Sequence, residues 1–91
     1  MSTDGISFAA GSDIPAPQLA AVIPAYNEAR SIEALVRQVS QRALAIVVDD
    51  GSTDGTAALA RAAGAHVVRH PVNRGYDAAL ESGLRTALAL G

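Results

Sequence analysis

Val47-Val48-Asp49-Asp50-Gly51-Ser52-Thr53-Asp54-Gly55-Thr56 is the stretch on which the fold turns. The apolar run Leu44 to Val48 stops abruptly at two carboxylates. Glycine and hydroxyl residues follow, and then an alanine-rich segment of helical character. That order describes a strand delivering acids to its carboxyl end, a turn, and a helix start. In open α/β sheets the crevice outside the carboxyl ends of the strands is where ligands bind. Adjacent carboxylates in such a place repel each other. A ligand's donors, a metal or a helix N-terminus is expected to offset that cost. At least one of Asp49 and Asp50 is therefore a candidate ligand contact.

Upstream, Leu19 to Ile23 is a continuous apolar run, as in a strand buried on both faces. Pro24 is expected to end it, because proline cannot donate to a ladder. Asn27 or Ser31 then offers a cap for a helix with apolar positions Ile32, Leu35, Val36 and Val39, one face of a 3.6-residue period. Ala43 to Val48 reads as the second buried strand. Downstream, Thr53 or Asp54 caps a helix from Thr56 to Ala63, with Gly64 at the C′ position. Ala65 to Arg69 is a third short strand, Pro71 to Gly75 a loop, and Tyr76 to Leu90 a third helix, weakened by Gly83. The alternation β-α-β-α-β-α predicts an α/β fold with a parallel sheet and right-handed crossovers. The expected sheet order places Ala43–Val48 between Leu19–Ile23 and an outermost Ala65–Arg69. Residues 1–18, rich in Ser, Gly, Ala, Asp and Pro, read as a flexible leader to a folded unit over 19–91.

Composition narrows the function classes. With 91 residues the chain holds one small domain. Its apolar residues are largely alanine and its aromatics scarce, so the core is small and stability should be marginal. The net charge is −2 with both signs interspersed, unlike the basic face of a nucleic-acid reader. There is no cysteine, hence no disulfide and no thiolate metal site. No apolar run approaches the roughly 20 residues needed to cross a bilayer, and no basic region precedes an apolar one at the N-terminus. The default compartment is the cytoplasm.

Three short segments carry chemistry. In Pro24-Ala25-Tyr26-Asn27-Glu28, Tyr26 can stack on a flat ring and Glu28 can accept from a base or hydroxyl. The same residues also suit an ordinary strand-to-helix turn. In Asn73-Arg74-Gly75-Tyr76, Arg74 can reach a phosphate at a helix N-terminus, or lie solvated at the surface. The run from Asp50 resembles an EF-hand loop, with Asp50, Ser52, Asp54 and Gly55 in place. Its twelfth position should be a bidentate Glu and is Arg61, and a strand precedes it, so calcium is rejected. His66 and His70 have no partner at metal-like spacing and read as structural or exposed. No G-x-G-x-x-G follows a strand and no P-loop occurs. A receiver-like or phosphatase-like site built on Asp49 and Asp50 needs a downstream lysine, and the chain has none.

Together and in this order, the motifs resemble the N-terminal half of family 2 glycosyltransferases of GT-A fold, over roughly Leu19 to Gly91. Val22 to Glu28 is similar to their opening strand and turn, and Val47 to Thr56 to their second strand with its acidic end. Asn73-Arg74-Gly75, followed by Ala78-Ala79-Leu80 and Gly83, is similar to their third turn and helix. The nearest flavour is the dolichyl-phosphate-mannose-synthase-like branch. The resemblance implies a truncated GT-A fold whose donor is a UDP- or GDP-type nucleotide-diphosphate sugar. Pro24, Ala25, Tyr26 and Glu28 would then line the base and ribose. Asp50 would accept a hydrogen bond from the base, Asp49 would support the turn, and Arg74 would contact phosphate. Asp77 departs from the family, where glycine is usual, and its carboxylate would weaken that phosphate contact. The resemblance also implies Mg2+ or Mn2+ on a D-x-D motif and a catalytic base in the complete enzyme. The chain contains no D-x-D. The expectation is a nucleotide-binding half that is inactive alone, peripheral to a membrane in the complete enzyme, and liable to self-associate through an exposed strand edge. The alternative is a non-catalytic nucleotide-binding or interaction module.

Overall fold

The computed structural model describes residues 19–91; the expected leader, 1–18, lies outside them. The element order is β1 (Ala20–Ala25), α1 (Ile32–Val39), β2 (Leu44–Asp50), α2 (Thr56–Ala62), β3 (His66–His70) and α3 (Tyr76–Leu90). The strands form one parallel sheet in the order β1-β2-β3, as expected. The driving force is visible in β2, whose residues from Ala45 to Asp50 are all buried while the outer strands are only partly covered.

Alternation along the strands sorts side chains onto two faces. Ile23, Ala25, Ala45, Val47 and Val67 pack with Ile32 and Val36 of α1 and with Leu59 and Ala60 of α2. The opposite face of β1 and β2 is covered by α3. Contact there is close at Gly83, where an added Cβ would sit 2.2 Å from Cγ1 of Val22. Gly83 therefore does not simply weaken α3. It is the position that lets the helix lie against β1.

Several boundaries differ from the expected ones. β1 continues through Pro24 to Ala25. Leu44 N–H donates to the Leu19 carbonyl at 2.8 Å. The alternation of bonding directions then turns the position of Pro24 outward, where its missing N–H costs no ladder bond. β1 is half-buried rather than buried on both faces, because only β2 pairs with it among the described residues. β2 runs on through both aspartates. β3 is shifted one residue, to His66–His70, and α2 stops at Ala62. Ser31 is the N-cap of α1 and Gly55 that of α2, and neither uses a side-chain cap bond. Of the residues expected to cap them, Ser31 holds the N-cap position of α1 and Asp54 accepts from the first N–H of α2, at Thr56, while Asn27 and Thr53 bond to each other.

Candidate nucleotide site

Because β2 extends through Asp50, the pleat sends Asp49 and Asp50 to opposite faces of the sheet. Their expected mutual repulsion is relieved by this separation and by β3. In the parallel register Asp49 faces Arg69 and Asp50 faces His70, so each acid meets a basic partner on its own face. Asp49 Oδ1 accepts from Ser52 N–H at 3.1 Å, and Arg69 Nε lies 3.5 Å from its Oδ2. Arg69 Nη2 also donates to the Ser52 carbonyl at 3.0 Å. Asp49 thus braces the turn.

Asp50 is bonded to the third turn. Oδ1 accepts from Arg74 N–H at 2.8 Å and lies 2.7 Å from His70 Nδ1; Oδ2 accepts from Gly75 N–H at 2.9 Å. Gly75 presents its N–H from φ 96, a conformation open chiefly to glycine. Burial alone would raise the Asp50 pKa. The bonds from His70, Arg74 and Gly75 outweigh it and hold the carboxyl below its ordinary range.

The hydroxyl-rich run ties the first turn to the second. Ser52 Oγ accepts from Asn27 N–H at 2.8 Å, and Thr56 Oγ1 accepts from Glu28 N–H at 2.9 Å. Asp54 Oδ2 accepts from Ala29 N–H at 3.2 Å, and Asn27 Oδ1 accepts from Thr53 N–H at 2.9 Å. Asp54 Oδ1 accepts from both the backbone N–H and the hydroxyl of Thr56. The Thr56 hydroxyl bond, then those from the backbone, hold the Asp54 pKa below its ordinary value. Asn27 sits at φ 53, a left-handed geometry that asparagine tolerates. Gly51, at φ 80, lets the second turn press on the third: a Cβ there would lie 2.3 Å from Asn73 N.

These three turns enclose a cleft of about 210 Å³, lined by Pro24, Ala25, Tyr26, Asp50, Asn73, Gly75, Tyr76 and Ala79. Four of the sequence candidates line it: Pro24, Ala25, Tyr26 and Asp50. Glu28 does not; its carboxylate accepts from Ser31 Oγ at 3.4 Å. Arg74 reaches the site through its backbone N–H, and its exposed side chain is outside the lining. Tyr76 and Ala79 also line the cleft; the sequence motifs contain both residues but assign a role to neither. Both of the chain's tyrosines flank the cleft, and both are exposed. His66 is exposed, and His70 is buried with its ring between Asp50 and Ser82.

Comparison with known proteins agrees with this architecture. The family model described as Glycosyl transferase family 2 matches residues 20–89. The glycosyltransferase AglJ of Haloferax volcanii is 43% identical over 58 residues, 60% of this chain and 19% of its own. The undecaprenyl-phosphate 4-deoxy-4-formamido-L-arabinose transferase of Aeromonas hydrophila is 40% identical over 79 residues, 72% of this chain and 24% of its own. The crystal structure of Mycobacterium tuberculosis glucosyl-3-phosphoglycerate synthase superposes with a TM-score of 0.64 at 35% identity, covering 74% of this chain and 29% of that one. The same synthase has been crystallised in complex with phosphoglyceric acid. The chain thus spans less than a third of the length of each of these relatives. With the family's pattern matched over most of the chain, and the three turns gathered around one cleft, the chain belongs to glycosyl transferase family 2.

Proposed function

We propose that the cleft binds the base end of a nucleotide-diphosphate sugar, and that the chain is the donor-binding half of an inverting glycosyltransferase. The Asp50 carboxylate carries this reading. An ionised carboxylate has about four acceptor sites. Three are filled by His70, Arg74 and Gly75, which leaves one on Oδ2 for a ring N–H of the base. Tyr26 and Tyr76 add aromatic surface at the rim. A volume of about 210 Å³ is below the roughly 300–1,000 Å³ of complete small-molecule sites, as suits a base rather than a whole nucleotide sugar. Glu28 and Arg74, outside the lining, would reach the ribose and the diphosphate from the rim.

The acceptor we favour is a lipid phosphate, as in a dolichyl-phosphate-mannose-synthase-like enzyme. The name of the Aeromonas relative supports a phosphate-bearing lipid, and the phosphoglycerate of the crystallised synthase supports a phosphorylated acceptor more broadly. Action at a membrane surface follows from that acceptor. No described helix is long and apolar enough to cross the membrane itself. The Mg2+ or Mn2+ implied by the family finds no fit here. No three His, Asp or Glu side chains cluster among the described residues, and Asp49 and Asp50 are parted by the pleat. The chain alone is expected to bind nucleotide weakly and to transfer nothing.

Titration of the 15N-labelled chain with UDP and GDP tests the site. Amide shifts are expected at Tyr26, Asn73, Gly75 and Tyr76. Asp50→Ala should weaken binding by roughly ten- to a hundredfold, the range for a hydrogen bond to a charged group. Micromolar binding that survives both Tyr26→Ala and Asp50→Ala would mean the site lies elsewhere. Sugar transfer to a lipid phosphate above a no-protein control, abolished by Asp50→Ala, would overturn the claim of inactivity.

A further inference from the structure

The cleft lining does not include His70, yet among the described residues His70 is the one side chain bonded to Asp50. It lies at the end of β3, 5% exposed, with Nδ1 2.7 Å from Asp50 Oδ1 and Nε2 2.7 Å from Ser82 Oγ on α3. Asp50 is ionised at neutral pH, so Nδ1 must carry the proton. In the neutral ring Nε2 then accepts from the Ser82 hydroxyl; in the charged ring it donates to the same oxygen. The chain Ser82–His70–Asp50 is satisfied in either state. Its order is that of a hydrolytic triad, but Ser82 sits inside α3, where helical bonds use the backbone N–H groups that could have stabilised an oxyanion.

The geometry points to a different role: His70 is a positioning residue for nucleotide recognition, fixing the Asp50 carboxylate so that the spare acceptor site on Oδ2 is held for the ligand. Arg74 and Gly75 anchor Asp50 from a loop. His70 anchors it from a strand that is itself in register with β2, and Ser82 ties the imidazole to the helix that forms the far wall. Without His70, burial would act on a carboxylate held only by backbone donors of the loop Pro71 to Gly75. The carboxylate would then be free to turn its acceptor away from the base. This inference rests on the nucleotide reading of the cleft.

His70→Ala, His70→Asn and Val36→Ala test it in the full chain. Asparagine can place an amide N–H near the position of Nδ1. Val36, buried in α1 on the other face, controls for lost stability. With UDP and GDP as probes, well below each variant's melting temperature, His70→Ala should bind at least about tenfold more weakly than wild type. His70→Asn should recover most of that loss, and Val36→Ala should bind as wild type. Independently of any ligand, the 13Cγ titration of Asp50 should move to higher pH in His70→Ala and back in His70→Asn. Wild-type affinity in folded His70→Ala, or an equal loss in Val36→Ala, overturns the positioning role while leaving the nucleotide reading intact. If wild type binds neither nucleotide, the nucleotide reading fails first. An Asp50 titration unmoved by His70→Ala then overturns the positional coupling by itself.

Discussion

Gly83→Ala separates two opposite expectations. Judged as a helix residue alone, Gly83 costs α3 about 1 kcal/mol relative to alanine, so the substitution should stabilise. Tertiary packing reverses the sign. The new Cβ would meet Val22 Cγ1 at 2.2 Å and Val22 Cβ and Cγ2 at 3.2 Å. Ordinary contact begins at 3.4 Å, so the shortfall is about 1 Å. Turning the Val22 Hβ toward the helix relieves the methyl clash, but it moves a β-branched side chain off its present rotamer and leaves Val22 Cβ at 3.2 Å, so helix and strand must still give by a few tenths of an ångström. Overpacking of this kind costs about 1–3 kcal/mol. Set against the propensity gain of about 1 kcal/mol, the net loss should be up to about 2 kcal/mol, or a melting temperature lower by up to roughly 16 °C for a domain of this size. Urea and thermal unfolding followed by circular dichroism measure it. In a Val22→Ala background the clash is gone, and Gly83→Ala should become neutral or stabilising, a coupling of at least about 1 kcal/mol between the two sites. A Gly83→Ala variant as stable as wild type, with no coupling to Val22, would refute the packing account.

Gly51→Ala combines a strained φ of 80 with backbone approaches of 2.3 Å to Asn73 N and 2.5 Å to Val72 C. It should cost about 3 kcal/mol or more and abolish the cooperative melt of so small a domain; an unchanged urea midpoint would contradict this. The folded-state pKa values of Asp50 and Asp54 are both lowered. Their contribution is therefore present above the ordinary carboxylate pKa of about 3.9 and is lost as pH falls through the lower folded values. The urea midpoint should hold from neutral pH to about 5 and then decline, less steeply in Asp54→Asn; a flat profile to about pH 2.5 is the opposing result. The outer edge of β1 carries no charged side chain and pairs with no other strand among the described residues, which makes it a template for intermolecular pairing. The isolated chain should self-associate in sedimentation experiments and Ala21→Lys should reduce this, whereas a stable monomer with a sharp melt would count against it.

Local signals determined the architecture. Apolar runs at Leu19, Leu44 and Ala65, a 3.6-residue period from Ile32 to Val39, and alanine-rich segments after each turn leave little choice but β-α-β-α-β-α. A strand followed by a helix and another strand forces parallel pairing by connection length and handedness. The same signals placed Pro24, Ala25, Tyr26 and Asp50 at the carboxyl end of the sheet, because that is where strand yields to turn. What each polar residue does there could not be reached from the sequence. Asp50 meets His70, Arg74 and Gly75 from 20, 24 and 25 residues away, and Asn27 meets Ser52 across 25. Of the residues read as helix caps, Thr53 donates to the first turn, and Asp54 both accepts from Thr56 at the start of α2 and reaches Ala29 in the first turn. Gly83 looks like a weak point of a helix until Val22 is set beside it. Secondary structure follows from periodicities within a dozen residues and is written in the chain. Which carboxylate faces a cleft, and what holds it there, depends on register between strands and on close approach between layers, and only the folded chain fixes those distances.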